Sequence, residues 1–418
     1  MTTIDEVFEE VLKGLPQRMF SKLLREKLDA QGVKLSLLEL ETLAKEILQG
    51  GKDTFLLKRD EIKEDRKIIL DFSAKDVEHI EQKLTHFCER ELQEAVVSAI
   101  SDISPKLLAD LKERWPAESR LERQDLGEFR KRLYDRWQLP LERLRMLLTI
   151  SREFGEGINH KVRQSTDDTT RKYLVEVLTR SHARACQITE EILCLLEGGF
   201  ADGAMARWRT LHEVAVVTSF IARHGEDLAE RYVLHEAVEA NRAAAEYQKC
   251  GPRLGYAPFE DNELRVLQSS CDAVMARFGT DFKGQYGWAA HHLKIAKPTF
   301  ADIERSVGNG YLRAHYRMAS HNVHANPKGV FFKLGILGES QVLLSGPSNA
   351  GLADPGDRTA WSLAHISATI ATLEPSLHNG MVLQVGIQLM TEIGELFAEA
   401  DARLAEEVLR DAPHPGAT

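Results

Sequence analysis

The chain has 418 residues, 43% hydrophobic and 28% charged, with a formal net charge of −10 at neutral pH. That length supplies material for two or three domains with a substantial core. The acidic balance argues against a general nucleic-acid coat, although a local basic groove is compatible with it.

Five scattered cysteines (Cys88, Cys186, Cys194, Cys250, Cys271) form no CxxC pair and no zinc-like spacing. They read as reduced thiols of a cytoplasmic protein. The first fifteen residues carry Asp5, Glu6, Glu9 and Glu10 where a signal peptide has a basic start and an apolar run. The longest uncharged apolar stretch, Val214 to Ala222, is about half the ~20 residues a membrane helix needs, so no membrane partner is expected.

In chain order, the first 140 or so residues read as charged amphipathic helices. Val7, Leu12 and Leu15 begin one; Phe20, Leu23, Leu24 and Leu28 come next at helical spacing; Leu35 to Leu48 makes a third, ended by Gly50-Gly51. Thr54–Leu57 and Lys67–Phe72 are β-type runs able to pair as a small hairpin. Ser73 predicts an N-cap for a helix through about Ile103, with Asp76 in its first turn. Pro105, Pro116 and Pro140 are expected to punctuate the stretch from there to Leu141.

From Leu141 the predicted helices lengthen, to roughly 141–160, 167–197, 200–223 and 226–249, separated mainly by glycines. Cys250 to Phe259 reads as a loop, 261–278 as a helix, and Gly310 to Ala325 as a helix stopped by Pro327 and Gly329. Val330–Leu337 and Gln341–Leu344, flanking Gly338-Glu339-Ser340, predict a second β-hairpin. Helices near 358–373 and 376–407 complete the chain before a Pro/Gly tail, 411–418, expected to be disordered. The fold class is therefore mainly α, a helical bundle with small β-hairpin insertions. A partner-binding or sensing helical module is expected over 1–140, and the bundle domain over 141–410.

Three polar stripes could carry chemistry. On the 200–223 helix, Arg209, His212 and Glu213 lie within one turn on an otherwise apolar element, with Asp202 two turns back. Arg207 points about 140° away from His212. These charges either form an internal ion-pair cluster or line a site. On the 310–325 helix, Arg313, Arg317, Ser320, His321 and His324 share one face, followed by Asn326. Guanidinium groups bind phosphate bidentately, and imidazole transfers protons near neutral pH. Arg317, His321 and His324 with Arg209, His212 and Glu213 are thus the candidate catalytic groups, and Arg207, Arg313, Ser320 and Asn326 the candidate substrate contacts. Arg231, His235, Glu239, Arg242 and Glu246 form a third stripe that reads as ordinary helix support. His235-Glu236 and His212-Glu213 leave open a metal site between helices, without Glu-x-x-His spacing. No metal or cofactor is assigned. There is no GxxxxGK[ST], GxSxG, HExxH or strand-followed GxGxxG.

The segments Gly198 to Glu213, Arg231-Tyr232-Val-Leu-His235-Glu236 and Ser320-His321-Asn-Val-His324-Ala325-Asn326-Pro327-Lys-Gly329 resemble the domain-of-unknown-function 5677 family over about 150–330. That resemblance implies no activity. A second resemblance is to HEPN ribonucleases, helical bundles with an Arg-x(4–6)-His motif, matched by Arg207-x4-His212, Arg317-x6-His324 and Arg358-x6-His365. It implies a metal-independent endoribonuclease acting on RNA in a defence or toxin-like role, usually as a homodimer. The alternatives are a non-enzymatic binding or scaffold protein and a metal-dependent helical-bundle enzyme.

Overall fold

The computed structural model describes residues 17, 19–50, 54–57, 66–70, 72–86, 92–164, 169–337 and 343–411. The helix expected around Val7, the thiol of Cys88 and the 412–418 tail lie outside them. The chain divides into two compact units, Met1–Glu122 and Arg123–Thr418.

In the first unit, helices α1 (19–30) and α2 (Leu37–Gly50) enclose Leu24, Leu28, Leu40 and Ala44. Ser36 and Glu39 cap α2 reciprocally, as a Ser-x-x-Glu box does. Strands β1 (Thr54–Leu57) and β2 (Arg66–Ile69) pair antiparallel, Thr54 opposite Ile69. Helix α3 (Ala74–His86) starts at the Ser73 cap, where Asp76 accepts from the Ser73 N–H at 2.7 Å and from Lys27 Nζ at 2.9 Å. Those bonds, the Lys27 one first, hold the Asp76 carboxyl down at about 2.

Helix α4 runs without interruption from Leu92 to Gln164, which corrects the expectation that prolines end it. Pro105 and Pro116 both project from the same exposed side. The carbonyls their missing N–H groups free, on Ser101 and Lys112, belong to exposed residues and can bond water.

The second unit is the bundle. Beyond α4 come α5 (Lys172–Glu197), α6 (Ala201–His224), α7 (Glu226–Leu234), α8 (Glu236–Leu254) and α9 (Asp261–Phe278). They are followed by α10 (Gly287–Leu293), α11 (Phe300–Ser306), α12 (Arg313–Val323), α13 (Pro327–Phe331), α14 (Ala353–Ala371) and α15 (Leu377–Asp411). Helix α6 is the hub, packing against α5, α7, α11, α12 and α14. Its alanines allow close approach, and Trp208, Leu211, Phe220 and Ile221 are wholly buried. Helix α15 is, among the described residues, long and apolar enough by composition to cross a membrane. It buries Leu389, Ile393 and Phe397 in the bundle core.

The mainly helical class holds, but the hairpin expected near 330–344 is not seen among the described residues. Val330 and Phe331 belong to α13, and the described residues around them join no strand. Asn326-Pro327 is a helix start: Asn326 caps, proline takes the first turn, and Val330 N–H bonds Asn326 O at 3.1 Å. The expected 226–249 helix is also broken. His235 ends α7 and sends Nε2 to the Gly284 carbonyl at 2.9 Å.

Candidate functional site

The polar residues of α6 are held by partners that sequence spacing does not reveal. His212 has no exposed surface; its Nε2 donates to Glu304 Oε1 at 2.8 Å, and Glu304, from α11, is 1% exposed. The other Glu304 oxygen accepts from Arg313 Nη1 at 3.2 Å. Arg313 and Arg209 approach the Tyr316 ring at 5.0 and 4.8 Å from its centroid. Arg209 Nη2 donates to the Tyr316 hydroxyl at 2.9 Å, the hydroxyl donates to Glu213, and Glu213 lies 3.3 Å from Arg209 Nε. The result is one polar chain, His212–Glu304–Arg313–Tyr316–Glu213–Arg209, binding α6, α11 and α12 together. Burial, reinforced by the bond to Glu213, pushes the Tyr316 phenol up to about 12.

Aromatic rings seal this chain. His212 stacks on Trp208 with centroids 5.2 Å apart and meets the edge of Phe300 at 6.0 Å. Trp208 Nε1 donates to the Arg358 carbonyl at 2.9 Å and to Ser362 Oγ at 3.0 Å, fixing α6 on α14. Thr299 and Asp302 form a capping box that starts α11 and places Glu304. Glu213 also reaches a groove, of about 550 Å³, between α5, α6 and α7, lined by Arg180, Arg184, Thr210 and Tyr232.

These positions decide which candidates can act on a ligand. His212 is sealed and cannot exchange a proton with a molecule outside. Arg207 turns to Glu191 on α5, so Arg207 and His212 do not form one site. Asp202 accepts from the Leu334 N–H at 3.1 Å and does not pair with Arg209. His365, in the third Arg-x6-His segment, stacks on Trp361, and burial holds its imidazole below the usual histidine range. Glu304 and Tyr316, central to the polar chain, are not among the candidates that sequence spacing selects. Glu304 sits in a short helix whose polar pattern resembles a surface turn, and Tyr316 lies beside Arg317 but off the stripe that Arg317 belongs to.

The α12 stripe divides. Arg313 faces inward, whereas Arg317 and His324 are exposed. Ser320 Oγ returns to the Tyr316 carbonyl at 2.8 Å. Asn326 builds the corner into α13: its Oδ1 accepts from Gly329 N–H at 2.8 Å, so its amide nitrogen must face His321 Nδ1 at 2.9 Å. A neutral His321 therefore keeps its proton on Nε2. Gly329 packs so tightly that a Cβ would lie 2.0 Å from the His321 carbonyl oxygen. His321, Asn326 and Gly329 thus shape the corner, and Arg317 and His324 stand free on its surface.

Around this corner the charge balance departs from the rest of the chain. Residues 305–338 contain no aspartate or glutamate, where the chain's 64 acidic residues in 418 would place about five by composition. The run holds Arg317, His324 and Lys328 in exposed positions; it also holds Tyr311, 63% exposed and edge-on to Trp361, and Phe331, 87% exposed. Among the described residues no three His, Cys, Asp or Glu side chains converge on a metal centre. His212 and Glu213 engage different partners, and His235 bonds a carbonyl.

No curated protein and no solved structure matches the chain. No comparison carries the HEPN resemblance. Residues 175–339, which hold the His212–Glu304 chain and the α12–α13 corner, match the family of unknown function DUF5677, and this stretch is a domain of that family.

Proposed function

We propose that the α12–α13 face binds single-stranded RNA. One observation carries this reading: a 34-residue run without a carboxylate, in a chain of net charge −10, exposes cations and aromatic rings together. Arg317 and Lys328 supply phosphate contacts, and Tyr311 and Phe331 supply flat surfaces on which unpaired bases stack. The rest of the acidic surface repels polyanions, so binding is confined to this face.

A second reading, metal-independent cleavage of the bound strand, is favoured by the exposure of both His324 and Arg317. Cleavage needs a base for a ribose 2′-hydroxyl and a cation for the charge developing on phosphate. His321 cannot be that base, because Asn326 occupies its free lone pair. The role falls to His324.

Fluorescence anisotropy with labelled single-stranded and duplex RNA tests the binding. Replacing Arg317 and Lys328 together by alanine should weaken single-strand affinity and flatten its log–log salt dependence by about 1.4. Phe331→Ala should cost about 1–3 kcal/mol of binding. Absence of single-strand binding at low salt overturns the proposal. Incubation with total RNA, with and without EDTA, tests cleavage: His324→Ala should abolish it and chelation should not.

A further inference from the structure

Helix α4 between Val97 and Trp115 has no apolar partner among the described residues, yet it is not a polar helix. Val97, Ile100, Ile103, Leu107, Leu111 and Trp115 are each 46–63% exposed. At about 100° per residue all six fall within an arc of roughly 120°. Between Val97 and Leu111 no charged residue enters that arc; Asp102, Lys106 and Asp110 lie outside it. Pro105 and Pro116 sit on the far side, where they leave the apolar face continuous.

An isolated helix of this kind does not persist in water. Helical stability in proteins comes mainly from packing an amphipathic face, and each interior proline costs about 3 kcal/mol. Something must therefore cover the stripe. Its size fits a copy of itself: the six side chains leave roughly 600 Å² exposed, so pairing two copies removes about 1,200 Å², the lower bound of a standard stable interface. From Val97 to Leu111 the arc meets its own copy without a charge mismatch, and Arg114, which enters the arc beyond Leu111, is already paired with Asp110 of its own helix. We propose that the Val97–Trp115 face of α4 is a homodimer interface, in which two copies of the chain pack helix against helix.

Sedimentation equilibrium on the full chain across a dilution series tests this. The wild type should show twice the 47.1 kDa monomer mass. Leu107→Glu with Leu111→Glu should be monomeric, whereas Ala109→Glu, on the opposite side, should remain dimeric. Truncating central apolar contacts typically costs a factor of about 10–100 each in affinity. The milder Leu107→Ala with Leu111→Ala pair should therefore raise the dissociation constant by at least ~100-fold, and serves if the glutamate pair fails to fold. A monomeric wild type at every concentration overturns the proposal. So does a dimer whose dissociation constant none of the stripe substitutions changes.

Discussion

Glu304→Ala is the most informative single perturbation of the bundle unit. Glu304 is 1% exposed and accepts from both His212 and Arg313. Its removal leaves His212, itself wholly buried and already without a partner at Nδ1, with neither ring nitrogen bonded. Arg313 is one-third exposed and can turn to water, so most of the loss falls on the imidazole. Removing one member of a buried charged pair typically costs about 3–5 kcal/mol. For a unit of this size that lowers the melting temperature by roughly 6–15 °C. Calorimetry of the full chain should show that shift in one transition. Arg313→Ala should cost only about 1 kcal/mol, because its ion pair is partly solvated. The double variant should lose less than the sum of the two, because both act through one carboxylate. A Glu304→Ala protein that melts within about 2 °C of wild type, a change under ~1 kcal/mol, would refute the structural role of this chain. If that protein had also lost RNA binding, the buried carboxylate would instead serve ligand recognition.

Two further outcomes arise from local geometry. His182 is buried under a groove of about 750 Å³, with Nε2 3.2 Å from Ser367 Oγ, and desolvation depresses its imidazole from 6.5 to about 4. The unfolded chain therefore binds the extra proton between those values; stability is complete above pH 6.5 and declines by about 3 kcal/mol as pH falls to 4. Urea titrations at several pH values should show this slope, and His182→Gln should remove it. Gly329→Ala drives a Cβ against the His321 carbonyl and should open the α12–α13 corner. Trypsin should then cleave after Lys328 faster than in wild type, and single-strand RNA affinity should fall by about tenfold if the corner arranges the binding groups.

The helices were legible where their own residues punctuate them. Gly225 ends α6, and the Ser73–Asp76 cap starts α3 as sequence implied. The prolines of α4 misled because sequence alone does not show that their freed carbonyls face water. Val330 to Leu337 carries strong β propensity, yet the Asn326-Pro327 start and the Gly329 contact give its beginning to α13: a local cap outweighed composition. The α6 cluster was recognisable as a group of charges needing partners, and the Arg209–Glu213 pair is one of them. Its main partner, Glu304, lies 92 residues away, and no spacing rule links such positions.

The Asn326 corner bears on what kind of information the α12–α13 face can extract from a ligand. By taking the His321 lone pair, Asn326 leaves that ring a donor, and the exposed Arg317 and Lys328 are donors only. Apart from His324, these groups are of one polarity and answer to phosphate oxygens, which every nucleotide carries alike. Telling one base from another requires donors and acceptors set against its edge in a fixed alternation. Under the binding proposed above, the face would register a flexible polyanion with unstacked rings with little regard to its letters, and any preference among sequences would have to arise from another part of the chain.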